Sequence, residues 1–309
     1  MKRLFGAIAV LFATASIASA QDYNTAVEAH NNAAATSDKT EILGYLREAL
    51  SIAEACEEEE AVLLAETCRD EIVSTLISLA KEKFNDGDFD AARGVLDETV
   101  TVAKEYNRED IIEEAEELVA LSYKQQGLSL LKAKQSAEAA GYLQKYVATV
   151  PEDAQANLLL GQALAGSGKV DEAVTYLEVA AQDEAQAKAA TGLLSNLFLK
   201  KGQAAIKAKK VTEAVELLEK ANEYNENANA YYLLGTAYTG AGKKAQAVEA
   251  YKKFLELKPG DSKAVDIRYT IAVTAQQLGD KATAIEYYSM LDGTKYAETA
   301  KAQLGQLKK

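Results

Sequence analysis

Three aspartates between two predicted helices have the spacing of metal ligands. Asp86, Asp88 and Asp90 alternate in the segment NDGDFDAA, as the first ligands of a helical calcium-binding loop do. Such a loop also needs glycine directly after the third ligand and glutamate at its twelfth position, where this chain has Ala91 and Asp97. We therefore interpret the triplet as a polar turn that caps the next helix, and the sequence predicts no metal site and no cofactor.

The residue types needed for catalysis are scarce. His30 is the only histidine, so neither a Ser-His-Asp triad nor a histidine-based metal cluster can be built. The glycines of LAGSGKVDEA do not follow the phosphate-binding spacing GxxxxGK[ST]. Carboxylates are abundant, and a glycosidase-like pair of them is the one catalytic alternative left open. The sequence therefore predicts no catalytic residues and a protein that is not an enzyme.

The N-terminus has the pattern of an export signal. Lys2 and Arg3 precede an apolar run, and the sequence ASA at positions 18–20 is the small-x-small pattern after which signal peptidase cleaves. Residues 1–20 are therefore predicted to be a cleaved signal peptide. The first mature residue would be Gln21 and not the cysteine that a lipid anchor requires. We expect a periplasmic or secreted protein with no stable membrane insertion after cleavage.

Cys56 and Cys68 are the only cysteines. They lie in a segment that has the pattern of a helix end, an acidic turn and the start of the next helix. In an exported chain such an even pair favours a structural disulfide, which would stabilise the fold by about 3 kcal/mol through the unfolded state. A redox-active pair usually has the spacing Cys-x-x-Cys, which is absent. Two reduced thiols are the other alternative.

The charge of the chain is unevenly distributed. Residues 21–120 contain 8 basic and 26 acidic residues, a net charge of −18, whereas residues 121–309 contain 24 and 21, a net charge of +3. The large negative charge argues against nucleic acid as a partner, because the phosphates of a nucleic acid bind to basic protein surfaces. The acidic segment is interpreted as a solvated surface. The alternative is that it docks a basic partner, or the mildly basic half of a second copy of the chain.

The elements that must position any binding site are pairs of helices. Residues 228–261 show one pair most clearly, because each half has an apolar stripe at helical spacing. The first stripe is Tyr231, Leu234 and Tyr238, and the second is Ala247, Tyr251 and Phe254. Glycines at positions 240 and 242 separate the two halves, and Pro259 ends the second.

This segment resembles a tetratricopeptide repeat, whose pattern spans about 34 residues. Its matching residues are, in order, Tyr231, Leu234, Gly235, Tyr238, Ala247, Tyr251 and Pro259. Phe254 departs from the pattern, since a small residue is usual there. The glycine recurs as Gly127, Gly161, Gly202 and Gly235, and the alanine as Ala139, Ala173, Ala214 and Ala247. We expect each glycine to face its alanine so that the two helix backbones approach closely. Seven extra residues before the third alanine are expected to lengthen a helix or loop.

The resemblance implies an all-α fold, a right-handed α-solenoid of five to six helix-turn-helix repeats. We expect residues 21–110 to form acidic hairpins with degenerate repeats that cap the array. Residues 111–292 are expected to form the tetratricopeptide-like array, and residues 293–309 a C-terminal capping helix.

In tetratricopeptide proteins the first helices of successive repeats line a concave groove, and the resemblance implies peptide binding there. The implied lining consists of Lys124, Leu158, Gln162, Leu199, Gln203, Asn229, Tyr232, Thr236 and Tyr269. The alternative is that its aliphatic members only pack on one another. The predicted function is an exported scaffold for protein–protein interactions in the assembly of a cell-envelope or secretion complex. A carbohydrate- or peptidoglycan-associated protein, with tyrosines stacked on sugar rings, is the second hypothesis, which the lack of tryptophan disfavours. An envelope enzyme is the third.

Overall fold

A computed structural model describes residues 22–308, and these residues form fifteen α-helices and no strand. The prediction of an all-α fold is therefore confirmed. The chain divides into two compact units, the first ending at Val150 and the second beginning at Pro151. The predicted signal peptide, residues 1–20, lies outside the described residues. The predicted segment boundaries near residues 110 and 292 concern repeat signatures and remain predictions.

The first unit contains six helices in three hairpins. They are α1 (22–34), α2 (Lys39–Ala53), α3 (Glu59–Asn85), α4 (Phe89–Glu105), α5 (Glu109–Lys132) and α6 (Ser136–Thr149). Each helix from α2 to α5 contacts the next. Alanines of α1 and leucines of α2 pack with Cys68, Ile72 and Leu76 of α3 in one core cluster. Asp38 caps α2, because its Oδ1 accepts hydrogen bonds from the main-chain N–H groups of Thr40 (2.8 Å) and Glu41 (3.2 Å).

The second unit contains four hairpins and a last helix. The hairpins are α7 (Ala154–Gly166) with α8 (Val170–Ala180), α9 (Glu184–Lys207) with α10 (Val211–Tyr224), α11 (Ala228–Gly240) with α12 (Lys244–Leu257), and α13 (Ala264–Leu278) with α14 (Lys281–Ser289). The last helix is α15 (Ala297–Leu307), which packs on α14. The first helices also meet directly, because α7 contacts α9 and α9 contacts α11. The extra residues found in the sequence extend α9, which has 24 residues against 13 for α11.

The closest approach inside these hairpins occurs at the repeated glycine. A Cβ built on any of the four glycines would lie 2.5–2.6 Å from a side-chain carbon of the second helix. The pairs are Gly127 with Leu143, Gly161 with Leu177, Gly202 with Leu218, and Gly235 with Tyr251. In the first three pairs the main-chain oxygen of the repeated alanine lies 3.2–3.5 Å from the same point. The glycine thus meets both the alanine backbone and the large residue four positions later.

Helix α9 allows a matched test of this contact. We predict that Gly202→Ala lowers the free energy of unfolding by about 1–3 kcal/mol, because the new Cβ overlaps Leu218. Gly192→Ala in the same helix has no atom within 4 Å of its Cβ and should raise that free energy by about 0.5–1 kcal/mol, since alanine favours helix over glycine. Urea unfolding of both variants measures the difference. Equal midpoints would contradict the contact.

The turn inside each hairpin from α3 to α14 needs one residue with a left-handed backbone. Glycine fills the position in four hairpins, at Gly87, Gly168, Gly242 and Gly279, with φ between 70° and 87°. Lysine fills it in the other two, at Lys134 (φ 62°) and Lys209 (φ 59°). The N–H of the next residue then bonds back to the end of the first helix, as Lys210 does to the carbonyl of Ala205 at 3.0 Å. A left-handed conformation is unfavourable for lysine, so these two turns are strained.

We predict that Lys209→Gly raises the free energy of unfolding by about 0.5–1 kcal/mol, because glycine adopts the left-handed conformation without strain. Lys207→Gly is the control. It lies two residues earlier, inside the last turn of α9, and should lower the same free energy by up to about 1 kcal/mol. Both are measured by urea unfolding, and a loss of stability in both variants would show that the turn is not strained.

Candidate functional site

Helices α7, α9 and α11 carry the same side-chain pattern on one face. The half-buried residues Leu158, Leu199 and Tyr232 occupy equivalent positions, one on each helix. Four residues later, on the same side of each helix, stand the exposed residues Gln162, Gln203 and Thr236. Asn229 is exposed at the start of α11, three residues before Tyr232. We name these seven residues the first-helix face.

An aromatic cluster supports the α11 end of the first-helix face. The ring centroid of Tyr232 lies 5.7 Å from that of Phe254 and 6.4 Å from that of Tyr251, both on α12. The ammonium of Lys263 lies 5.4 Å from the centroid of the Tyr232 ring, within cation–π range. Thr236 donates a hydrogen bond to the main-chain oxygen of Tyr232 at 3.0 Å. Phe254, the departure from the repeat pattern, thus packs against Tyr232.

Two further predicted lining residues make packing contacts of their own. Tyr269 on α13 stacks on Tyr296, with ring centroids 4.0 Å apart and planes 2° from parallel. Helices α11 and α13 make no contact in the described part of the chain, so Tyr269 belongs to the packing of α13 against the C-terminal segment. Lys124 lies on α5 of the first unit, where its ammonium stands 5.3 Å from the ring centroid of Tyr146. The other seven predicted lining residues form the first-helix face.

Sequence reasoning missed a buried cation in the first unit. Arg93 on α4 is only 9% exposed and donates hydrogen bonds to Ser122 Oγ at 3.0 Å and Gln126 Oε1 at 2.6 Å, both on α5. Its guanidinium also lies 4.7 Å from the ring centroid of Tyr123 and 5.5 Å from that of Tyr142 on α6. These partners compensate the burial of the charge. The spacing of these residues along the chain does not predict the cluster, because they lie on three different helices.

The aspartate triplet acts as a helix start in the structure. Asp88 Oδ1 accepts a hydrogen bond from the main-chain N–H of Ala91 at 3.1 Å and so caps α4. Asp90 forms an ion pair with Arg93. No group of three or more candidate ligands in residues 22–308 is placed to hold a metal ion. His30 Nε2 lies 2.9 Å from Glu71 Oε2, on the surface between α1 and α3.

Cys56 and Cys68 are free thiols in the structure, so the predicted disulfide is not formed there. Cys68 is fully buried, and burial raises its pKa to about 11, with a further contribution from the charge of Glu71. Burial also raises the pKa of Cys56, as do Glu58 and Asp22, and its Sγ donates to the main-chain oxygen of Ile52 at 3.3 Å. Because the thiolate is the reactive form, neither cysteine is activated for redox chemistry at neutral pH.

Family models for the tetratricopeptide repeat match residues 124–190, 199–262 and 265–289. Together these segments cover about half of the chain. The chain belongs to the tetratricopeptide repeat family. The matched segments begin within α5 and end with α14. Proteins of this family are scaffolds for protein–protein interaction. No helix within residues 22–308 is both long and apolar enough to span a bilayer.

Several solved structures resemble the chain. MamA from Desulfovibrio magneticus RS-1 has 25% sequence identity over 56% of this chain and 92% of that chain, with a TM-score of 0.34. Another crystal structure of MamA has 23% identity over 59% and 94%, with a TM-score of 0.36. YrrB, described as a tetratricopeptide protein with an unusual peptide-binding site, has 20% identity over 64% and 97%, with a TM-score of 0.36. No curated protein matches the sequence.

We predict that unreduced protein unfolded in guanidinium releases two thiols to Ellman's reagent, one each from Cys56 and Cys68. In native protein at pH 7 the reaction should be slow at Cys56 and absent at Cys68, because burial keeps both sulfurs protonated. Cys68→Ala identifies the slow thiol as Cys56. No reactive thiol in the unfolded, unreduced protein would instead establish the disulfide.

Proposed function

We propose that this protein is an exported scaffold that holds a peptide segment of a protein partner on the first-helix face. By holding that segment it would help to assemble a cell-envelope or secretion complex. The observation that carries the proposal is the repetition of one half-buried and one exposed residue on three contacting helices, with Leu158, Leu199 and Tyr232 in the half-buried row. One repeat offers a single contact, and three in a row offer a strip long enough for an extended segment or one helix.

The chemistry of the first-helix face suits a polypeptide. The half-buried row offers apolar surface to the side chains of a bound segment, and Tyr232 adds an aromatic ring that packing against α12 already orders. Gln162 and Gln203 carry both hydrogen-bond donors and acceptors, which match the N–H and C=O groups of a bound backbone. The first-helix face carries no charged residue, so recognition would depend on shape and hydrogen bonding rather than on charge.

The exported location rests on the N-terminal sequence. The basic residues, apolar run and cleavage pattern of positions 1–20 support a signal peptide. Export would place the first-helix face outside the cytoplasm, where envelope and secretion complexes are assembled. Cell fractionation and mass spectrometry of the protein test this part of the proposal. We expect the protein outside the cytoplasm, with Gln21 as its first residue.

The alternative of sugar binding receives less support from the tyrosines. Tyr238 is only 7% exposed, and its hydroxyl donates to Glu219 Oε1 at 2.6 Å. One face of the Tyr269 ring is covered by Tyr296. The sugar-binding hypothesis depends on Tyr231, Tyr232, Tyr238 and Tyr269. Tyr238 and Tyr269 are therefore engaged within the fold, and Tyr232 packs against three side chains.

We predict that a photo-crosslinking amino acid at Gln203 captures a protein partner in the native host, whereas one at Thr175 does not. Both positions are exposed, but Thr175 lies on the second helix α8, away from the first-helix face. Gln162→Arg, on the neighbouring helix, should reduce the adduct at Gln203 several-fold without unfolding the protein, because Gln162 is exposed. The readout is the adduct on a denaturing gel, identified by mass spectrometry.

Adducts at neither position, in a folded protein recovered from the periplasmic fraction, would reject the first-helix face as the binding surface. Equal adducts at Gln203 and Thr175 would show capture by proximity alone. Retention of the adduct in the Gln162→Arg variant would place the partner away from this face.

A further inference from the structure

One position of the repeat is occupied by an unusually small residue in α12. Three residues after the repeated alanine, the second helices α6, α8, α10 and α14 carry a large side chain, whereas α12 carries alanine. The residues at this position are Tyr142, Tyr176, Leu217, Ala250 and Tyr287. The fold of the second unit therefore accepts a large side chain at the position of Ala250.

A cavity of about 760 Å³ lies beside Ala250, between α10, α11 and α12. Ala250 and Leu234 contribute to its lining, together with Tyr231 and Tyr238. These α11 residues lie on the side of the helix roughly opposite to Tyr232, so the cavity is separate from the first-helix face. The small side chain at this position thus leaves open part of a mainly apolar recess that reaches the surface.

The rim of the cavity is acidic. Glu219 and Glu223 of α10 and Glu249 of α12 line it, and Lys253 is the one basic residue among its lining residues in the described part of the chain. The ammonium of Lys253 is bound to Glu256 Oε2 at 2.7 Å. Glu249 is itself paired with the ammonium of Lys252 at 3.0 Å, so the negative charge of the rim comes chiefly from Glu219 and Glu223.

Two further side chains shape the recess. The hydroxyl of Tyr238 donates a hydrogen bond to Glu219 Oε1 at 2.6 Å, which fixes the position of this carboxylate on the wall. Asn222, on the same wall, accepts a hydrogen bond from the main-chain N–H of Asn227 at 2.9 Å, while its buried Nδ2 finds no acceptor within the described residues.

We propose that this cavity is a second docking site, which takes one large apolar side chain from a partner peptide whose neighbouring residues are lysine or arginine. The apolar walls fit the side chain, and the carboxylates of the rim fit the flanking cations. An acidic or phosphorylated segment would be repelled by the same rim. The partner is therefore defined as a basic peptide with an apolar anchor.

The experiment uses a random dodecapeptide phage library panned on the whole mature protein, with Ala250→Leu protein as soluble competitor. Ala250→Leu narrows the recess with the side chain that α10 carries at Leu217, so it should fold with an unchanged or higher Tm. Ala282→Leu, at an exposed position of α14, is the matched control that leaves the recess open. We expect enriched peptides that contain a large apolar residue flanked by lysine or arginine.

A synthetic peptide with the enriched sequence is then titrated by fluorescence anisotropy. We expect its Kd to rise at least about tenfold in Ala250→Leu and to remain unchanged in Ala282→Leu. Glu223→Gln with Glu249→Gln should weaken binding several-fold and reduce its salt dependence. Crosslinking at Gln203 should not change in Ala250→Leu, so that failure of this site and failure of the first-helix face can be distinguished.

Three results would overturn the proposal. Enriched peptides without a basic flank would reject the role of the rim, and equal binding to Ala250→Leu would place the peptide elsewhere. No enrichment, together with self-association that Ala250→Leu abolishes in sedimentation experiments, would assign the recess to a second copy of the chain and reject the peptide partner.

Discussion

The close approach of two helices at a glycine is the contact on which the repeat structure depends. Where a first helix carries Gly161 or Gly202, the leucine of the second helix occupies the space that a Cβ would need. A helix pair held this closely fixes which faces of both helices are buried. The remaining faces of the two helices then either pack against the next hairpin or are exposed to solvent. The position of every candidate binding residue follows from this constraint.

Both candidate surfaces arise from helices that the glycine contact has already ordered. The first-helix face repeats its pattern because α7, α9 and α11 carry equivalent residues at the same distance from the repeated glycine. The cavity beside Ala250 has a different origin, because it exists where one repeat departs from the others. A rigid array can thus offer a repeated surface for an extended partner and a single recess for one side chain. The acidic rim gives the recess a charge preference that the first-helix face lacks.

Several acidic residues of the first unit form ion pairs within the unit, although its net charge is strongly negative. Arg108 bonds to Glu66 at 2.9 Å and to Asp70 at 2.6 Å, which lowers the pKa of the Glu66 carboxyl chiefly through the hydrogen bond from Arg108. Arg69 bonds to Glu54 as well as to Glu66. Arg108, just before α5, thus bonds to α3, and Arg69 connects α3 to the end of α2. Each of these exposed pairs contributes little on its own. The buried Arg93, surrounded by α4, α5 and α6, is the stronger structural use of a charge.

The sequence by itself determined the helical hairpins, the repeat family and the glycines of the close contact, because each depends on residues a few positions apart. It also placed Leu158, Leu199 and Tyr232 at one equivalent helix position and Gln162, Gln203 and Thr236 at another. Only the tertiary structure decided that Tyr269 stacks on Tyr296, that Arg93 finds its partners on two other helices, and that Ala250 leaves a recess. Those outcomes depend on contacts between side chains of separate elements, and helical periodicity carries no information about such contacts.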